Sequence, residues 1–260
     1  MGTFTIKQFA NGEQVSDAAA EAFVSFANEA IAARQRFTVA LSGGSTPRRL
    51  YELLAESPFN TQVAWDKLEF FWGDERAVPP EHADSNYGMT SDALLTKLAI
   101  PEAHIHRMPA DREDLENAAW DYQAEIARVF GVDPDGEPPQ FDLVLLGMGA
   151  DGHTASLFPY TEAIREETRW VVSSYVPKLD SYRLTLTPSI LNKSAHVLFL
   201  VAGADKATPL EEVLEGPSDP ERLPSQLIRP TSGDLTWLID NSAATQLRRV
   251  NRESLAVSRK

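Results

Sequence analysis

The sequence contains no cysteine. Disulfides, thiolate metal centres and cysteine nucleophiles are therefore excluded, and the absence agrees with a reducing compartment. Histidine is scarce as well: the 5 in the chain show no HExxH or comparable ligand spacing, so no metal is expected. No stretch approaches the ~20 apolar residues of a membrane helix, and the opening MGTFTIKQFANGEQ lacks an apolar signal core. Met1-Gly2 could begin a myristoylation signal, but Ile6 stands where serine or threonine is required. Asn192-Lys193-Ser194 fits a glycosylation sequon that has no meaning without secretion. Positive charge is also short, with 24 Lys+Arg against 38 Asp+Glu and a net −14. That balance argues against nucleic acid or an anionic membrane as partner. An anionic substrate would need local arginine and lysine to overcome a repulsive field. The expectation is a soluble, cytoplasmic protein with a small-molecule partner, a monomer or at most a weak homodimer.

What is present is an alternation of strand and helix signals. Strands are predicted at Phe4–Phe9, Phe37–Leu41, Leu68–Trp72, Phe141–Leu146, Trp170–Ser174, Arg183–Leu186, Ala195–Val201 and Leu235–Asp240. Helices are predicted at Ser16–Arg34, with Ser16 or Asp17 near the cap, and from Pro47 to about Glu56. Others follow at Asn86–Lys97, Asp111–Phe130, Lys206–Leu214 and Ala243–Val250. Gly73–Ser85 reads as a polar loop, and Gly131–Gln140 and Glu215–Pro230 as surface connections. No repeat or compositional break divides the chain, so residues 1–260 are expected to form one α/β domain with a mostly parallel sheet flanked by helices.

The most informative stretch is DLVLLGMGADGHTASLFP, residues 142–159. An apolar run without alternation is a strand covered on both faces. It breaks into Gly147, Gly149 and Gly152 and presents Asp151 and His153. A strand ending in a glycine loop is a rigid mount for a neutral imidazole acting as general base. The same glycines satisfy G-x-G-x-x-G, the dinucleotide fingerprint. That motif requires a long helix next and then a strand ending in an acidic residue. Pro159 interrupts any such helix, and Trp170–Ser174 ends in serine, so no nicotinamide or flavin cofactor is expected.

Other candidate loops also follow predicted strands. Ser42-Gly43-Gly44-Ser45-Thr46-Pro47 combines exposed amides, hydroxyls and a proline suited to a first helical turn. It reads as a phosphate site or an ordinary capped turn. It is not a Walker loop, and position 47 is proline where a nucleophile elbow needs glycine. In Gly73-Asp74-Glu75-Arg76, Asp74 could orient a base or a substrate hydroxyl, and Arg76 could hold an anion bidentately. A surface ion-pair cluster is the alternative. Arg183 at the mouth of a strand, and Lys206 at the start of a helix, are further candidate anion ligands or plain solvated cations. Of the remaining histidines, His82 lies in a proline-rich loop, His104 and His106 flank Ile105 on a segment read as exposed, and His196 opens a strand.

Five segments together resemble the glucosamine-6-phosphate isomerase/6-phosphogluconolactonase family, on its lactonase side. They are LSGGSTP, FFWGDERAVPPEHADSNYGM, DLVLLGMGADGHTASLFP, YRLTLTPSILNKSAHVLFLVAGADKA and PSQLIRPTSGDLTWLIDNSAA, in the family's order. The resemblance implies a modified doubly wound, Rossmann-like sheet. It also implies a phosphate held by the loop from Ser42 to Thr46, chiefly Ser45 and Thr46, with Arg183 and Lys206. His153 would be the base, with Asp74, Arg76 and Asp151 nearby. The related deaminases resemble the chain at several of the same segments. They usually carry tyrosine where Arg76 stands, and Ile-Ala-Phe-Asn-Glu-Pro where this chain has Thr154-Ala-Ser-Leu-Phe-Pro159. A deaminase-like enzyme and a non-catalytic sugar-phosphate binder remain the competing readings.

For a lactonase, His153 would deprotonate a water attacking the C1 carbonyl of the δ-lactone. An arginine or glycine-loop amides would meet the oxyanion, and Asp151 or Asp74 would hold the imidazole tautomer.

Overall fold

The computed structural model describes residues 2–248. Among them the chain runs β1 (Phe4–Phe9), α1 (Gly12–Arg34), β2 (Phe37–Leu41), α2 (Ser45–Leu54), β3 (Leu68–Trp72), β4 (Asp74–Arg76), α3 (Asn86–Ala93) and α4 (Leu115–Phe130). It continues with β5 (Leu143–Leu146), β6 (Val171–Val176), β7 (Ser181–Leu186), α5 (Pro188–Leu191), β8 (His196–Val201), α6 (Ala207–Glu215) and β9 (Asp234–Asp240). Six strands form an all-parallel sheet in the order β1-β9-β8-β5-β2-β3. Every residue of β2 and β5 is buried, as continuous apolar runs require when helices cover both faces.

The second sheet was not predicted as such. Strands β4, β7 and β6 pair antiparallel, and β4 occupies residues expected to be loop. The chain crosses from one sheet to the other at Gly73, whose N–H donates to Leu41 O (2.8 Å) while its carbonyl accepts from Leu186 N (2.8 Å). Asp74-Glu75-Arg76 has no apolar residue, so hydrophobic alternation could not signal a strand there.

Helix ends follow their caps. Helix α1 starts a turn earlier than predicted because Asn11 Oδ1 accepts from Gln14 N (3.0 Å) and Gln14 Oε1 accepts in return from Ala10 N (3.0 Å). Helix α4 starts later, at Leu115, because Asp114 caps Asn117 N. Beyond β9, Ala243–Gln246 form a 3-10 turn where a helix to Val250 was expected, and Arg249 and Val250 lie outside the described residues.

His106 corrects the exposed reading of its segment. Its side chain is 4 % exposed, with Nδ1 2.7 Å from Glu125 Oε1 and Nε2 2.9 Å from Glu69 Oε2. The ring stacks on Phe71 at 4.5 Å. Two carboxylates on opposite nitrogens are both satisfied by a doubly protonated ring. Hydrogen bonds from Arg128 and then His106 outweigh burial and hold the Glu125 carboxyl at about 2. His106→Ala would leave a void beside Glu69, stripped of its hydrogen-bond partner, and Glu125 held by Arg128 alone. It should destabilise the fold by about 2–4 kcal/mol in urea unfolding, with kcat and KM unchanged because the cluster lies away from the cleft.

Candidate active site

The cleft lies where β2, β3, β5 and β8 end and the second sheet begins. Its base loop is tied at several points. Gly149 N–H donates to His153 O (2.9 Å), Gly152 N–H to Gly149 O (3.0 Å), and Thr154 Oγ1 to Gly147 O (2.8 Å). Gly152 adopts φ 78, which glycine takes without strain, and its carbonyl accepts from both the N–H and the hydroxyl of Ser225, each at 2.9 Å. His153 is thereby fixed at the backbone.

The imidazole Nδ1 is 2.5 Å from Asp151 Oδ1, and the ring stacks on Phe158 at 4.1 Å. Nε2 has no partner among the described residues. Asp151 Oδ2 is engaged by Lys178 Nζ at 3.1 Å. Burial opposes ionisation of Asp151, but hydrogen bonds from His153 and Lys178 prevail and hold its carboxyl well below the usual range. An ionised Asp151 places the proton on Nδ1 and leaves the Nε2 lone pair free.

Asp74 is buried and committed elsewhere. Its Oδ2 accepts from Ser156 Oγ (2.7 Å), and Asn86 Nδ2 donates to its carbonyl (2.9 Å) and to Oδ1 (3.3 Å). Asn86 also wedges against Gly43, where a Cβ would sit 1.9 Å from Asn86 Oδ1, so only glycine fits. Glu75 faces away and secures α3. Its oxygens accept from the N–H groups of Arg76, Asn86 and Tyr87, each at 2.8 Å, and from Ser85 Oγ at 3.1 Å. Burial still pushes its carboxyl above the ordinary value, the three amides opposing.

The Ser42–Pro47 loop is set by Tyr51, whose hydroxyl accepts from Ser42 N (3.0 Å) and donates to Ser42 O (2.8 Å). Gly44 takes φ 109 at the N-cap of α2, and no side chain caps that helix. Gly43, Gly44, Ser45, Thr46, Met148 and Lys206 line one lobe of about 270 Å³. A second lobe of about 270 Å³ is lined by Asp151, Ser156, Phe158, Lys178 and Arg183. The lobes share Asp74, Arg76, His153 and Ala155. Ala155 is held at φ 46, a region alanine rarely adopts, between two hydrogen-bonded hydroxyl residues, Thr154 and Ser156.

The cations divide accordingly. Lys206 pairs with Asp205 (3.0 Å) in the first lobe. Arg183 stands opposite Arg76 in the β4–β7 register, not beside Lys206. Arg76 Nη1 donates to Asp84 O (2.6 Å), and Arg183 Nη1 to Ser181 Oγ (2.7 Å) and Tyr182 O (2.8 Å). Burial, then the like charge of Arg76, lowers the Arg183 pKa. An anion between these arginines would relieve both effects. Among the described residues no group of three or more His, Asp or Glu could hold a metal ion, and no helix is long and apolar enough to cross a membrane.

The family model for glucosamine-6-phosphate isomerases/6-phosphogluconolactonase matches residues 10–237. The chain belongs to this family. A 6-phosphogluconolactonase of Synechocystis sp. is 45 % identical over 220 residues, 85 % of this chain and 88 % of the relative. The solved 6-phosphogluconolactonase from Trypanosoma cruzi aligns at 32 % identity with a TM-score of 0.83, covering 95 % of this chain and 98 % of that one. A solved monomeric glucosamine-6-phosphate deaminase shares the fold, at 22 % identity and a TM-score of 0.76 over 93 % and 99 % of the two chains. The resemblance carried by the five motifs is borne out at the level of the isomerase/lactonase family, as is the mostly parallel α/β sheet.

Sequence reasoning missed several groups that build the site. Lys178 gave no signal, being one lysine in a hairpin turn, 27 residues from Asp151. Ser156 sat within the quoted lactonase segment, and Asn86 at the start of a predicted helix, but their shared partner Asp74 is set only by the fold.

Proposed function

We propose that the chain hydrolyses 6-phospho-D-glucono-1,5-lactone to 6-phosphogluconate, in the oxidative pentose phosphate pathway, with His153 as general base. The carrying observation is a histidine with Nδ1 on an ionised carboxylate and Nε2 open, at the junction of two cation-lined lobes. Water gives a proton to Nε2 as its oxygen bonds to C1. The C1–O(ring) bond then breaks, and the imidazolium returns that proton to the departing oxygen. The first turn of α2 and Lys206 take the phosphate. Arg76 and Arg183 flank the C1 end, where negative charge develops. Grouping Arg183 with the phosphate ligands is less favoured, because it lines the opposite lobe from Lys206.

The test is acid release from the phosphorylated lactone, followed with a pH indicator, beside ammonia release from glucosamine 6-phosphate. Acceleration well above spontaneous hydrolysis, without ammonia, is expected. Ammonia release without lactone turnover would establish the deaminase reading, and product binding without turnover of either would establish a sensor. Lys206→Ala should raise KM roughly 10- to 100-fold with a smaller change in kcat, the loss of one charge-assisted contact. Initial-rate kinetics check it, and an unchanged KM would remove Lys206 from the phosphate site.

A further inference from the structure

Lys178 occupies the tip of the β6–β7 hairpin, in the 3-10 turn Pro177–Leu179. The tip is built rather than loose. Asp180 closes it at φ 45, and Tyr175 OH donates to Asp180 Oδ1 at 2.5 Å. Although Lys178 is 70 % exposed, its ammonium meets the Asp151 oxygen that His153 does not use. The result is a Lys178–Asp151–His153 chain that joins the second sheet to the base loop.

We propose that Lys178 is a positioning residue for hydrolysis: it aims the Asp151 carboxylate at His153 and shares its charge, so the imidazole is available as an unprotonated base. This rests on the hydrolytic reading above. A carboxylate facing an imidazole alone favours the imidazolium, which cannot accept a proton from water. A second cation on the same carboxylate weakens that preference without removing the hydrogen bond that sets the tautomer. The other charged groups around the ring are Asp74 and Arg76 from β4, Arg183 from β7 and Lys206 before α6. None of them touches Asp151; among the described residues its side chain is bonded by His153 and Lys178. A unit charge one carboxylate away, screened by solvent, is worth on the order of half a pH unit.

The experiment compares wild type, Lys178→Met and Lys178→Arg by two readouts. One is the NMR titration of the His153 ring in the ligand-free protein; the other is kcat/KM against pH with the phosphorylated lactone. In Lys178→Met the ring titration and the acid limb should both move up by about half a pH unit. At pH 6 kcat/KM should fall roughly threefold, with the loss shrinking toward pH 8, and Lys178→Arg should restore both curves. Superimposable titrations of wild type and Lys178→Met would overturn the proposal, as would a loss confined to KM at every pH. The NMR readout needs no substrate. A wild type without lactone turnover would therefore refute the hydrolytic reading, while an unmoved titration would refute the role of Lys178.

Discussion

Replacing His153 by alanine is expected to lower kcat by roughly 10²- to 10⁴-fold, the range of a positioned general base. Affinity for the phosphate end of 6-phosphogluconate should stay within about twofold, since the groups proposed to hold it, Lys206 and the first turn of α2, are untouched. The separation follows from the geometry. The imidazole is held by Asp151, Phe158 and its own glycine loop, whereas Ser45, Thr46 and Lys206 line the lobe beyond it. Asp74 cannot take over, because its carboxylate is buried between Ser156 and Asn86. Steady-state kinetics and calorimetric titration with the product measure the two quantities separately. Full turnover in His153→Ala would sink the base assignment, and equal loss of both would mean that the ring also supports the phosphate lobe.

The second large effect is expected at a residue with no functional atom. Gly149→Ala should reduce kcat by about 10²-fold, as a displacement of about 1 Å in a catalytic group does, while the melting temperature changes little. A Cβ on Gly149 would lie 2.0 Å from His153 Nδ1, 2.1 Å from Cε1 and 2.8 Å from Asp151 Oδ1. Its backbone is outside the left-handed region, and the nearest atoms that Cβ would meet all belong to these two side chains, so the dyad is what has to shift. Gly152 provides the contrast: its φ is 78 and a Cβ would meet Leu223 Cδ2 at 2.6 Å and Cα at 3.3 Å. Gly152→Ala should therefore lose stability as well as activity. Thermal unfolding beside turnover distinguishes them, and a fully active Gly149→Ala would show that the dyad tolerates displacement.

These glycines mark how far the sequence could be read. The strand before Gly147 and the loop after it were legible because a buried parallel strand is an unbroken apolar run and glycine is its natural stop. The Ser42–Pro47 loop was legible for a similar reason, and Gly44 does adopt a positive φ at the start of α2. Long-range polar pairing was not legible. His106 passed for an exposed residue because the carboxylates that make its burial tolerable, Glu69 and Glu125, lie 37 and 19 positions away. Strand β4 passed for a loop because its pairing with β7 comes from backbone hydrogen bonds and not from an apolar face. The choice between Asp74 and Asp151 as partner of His153 was open for the same reason. Both lie next to glycine in strand-end segments, and only their three-dimensional neighbours tell them apart.

Strand β1 has a single neighbour in the sheet, and that neighbour is the last strand, with Phe4 opposite Leu235 and Phe9 opposite Asp240. A ribosome delivers β1 well before β9, so the edge of β1 has no native partner until more than 220 further residues have been made. Its sequence suits that wait. Thr5, Lys7 and Gln8 make half of it polar, Lys7 puts a charge on it, and none of its residues is fully buried even in the finished sheet. A strand of this kind offers a poor template to other nascent chains.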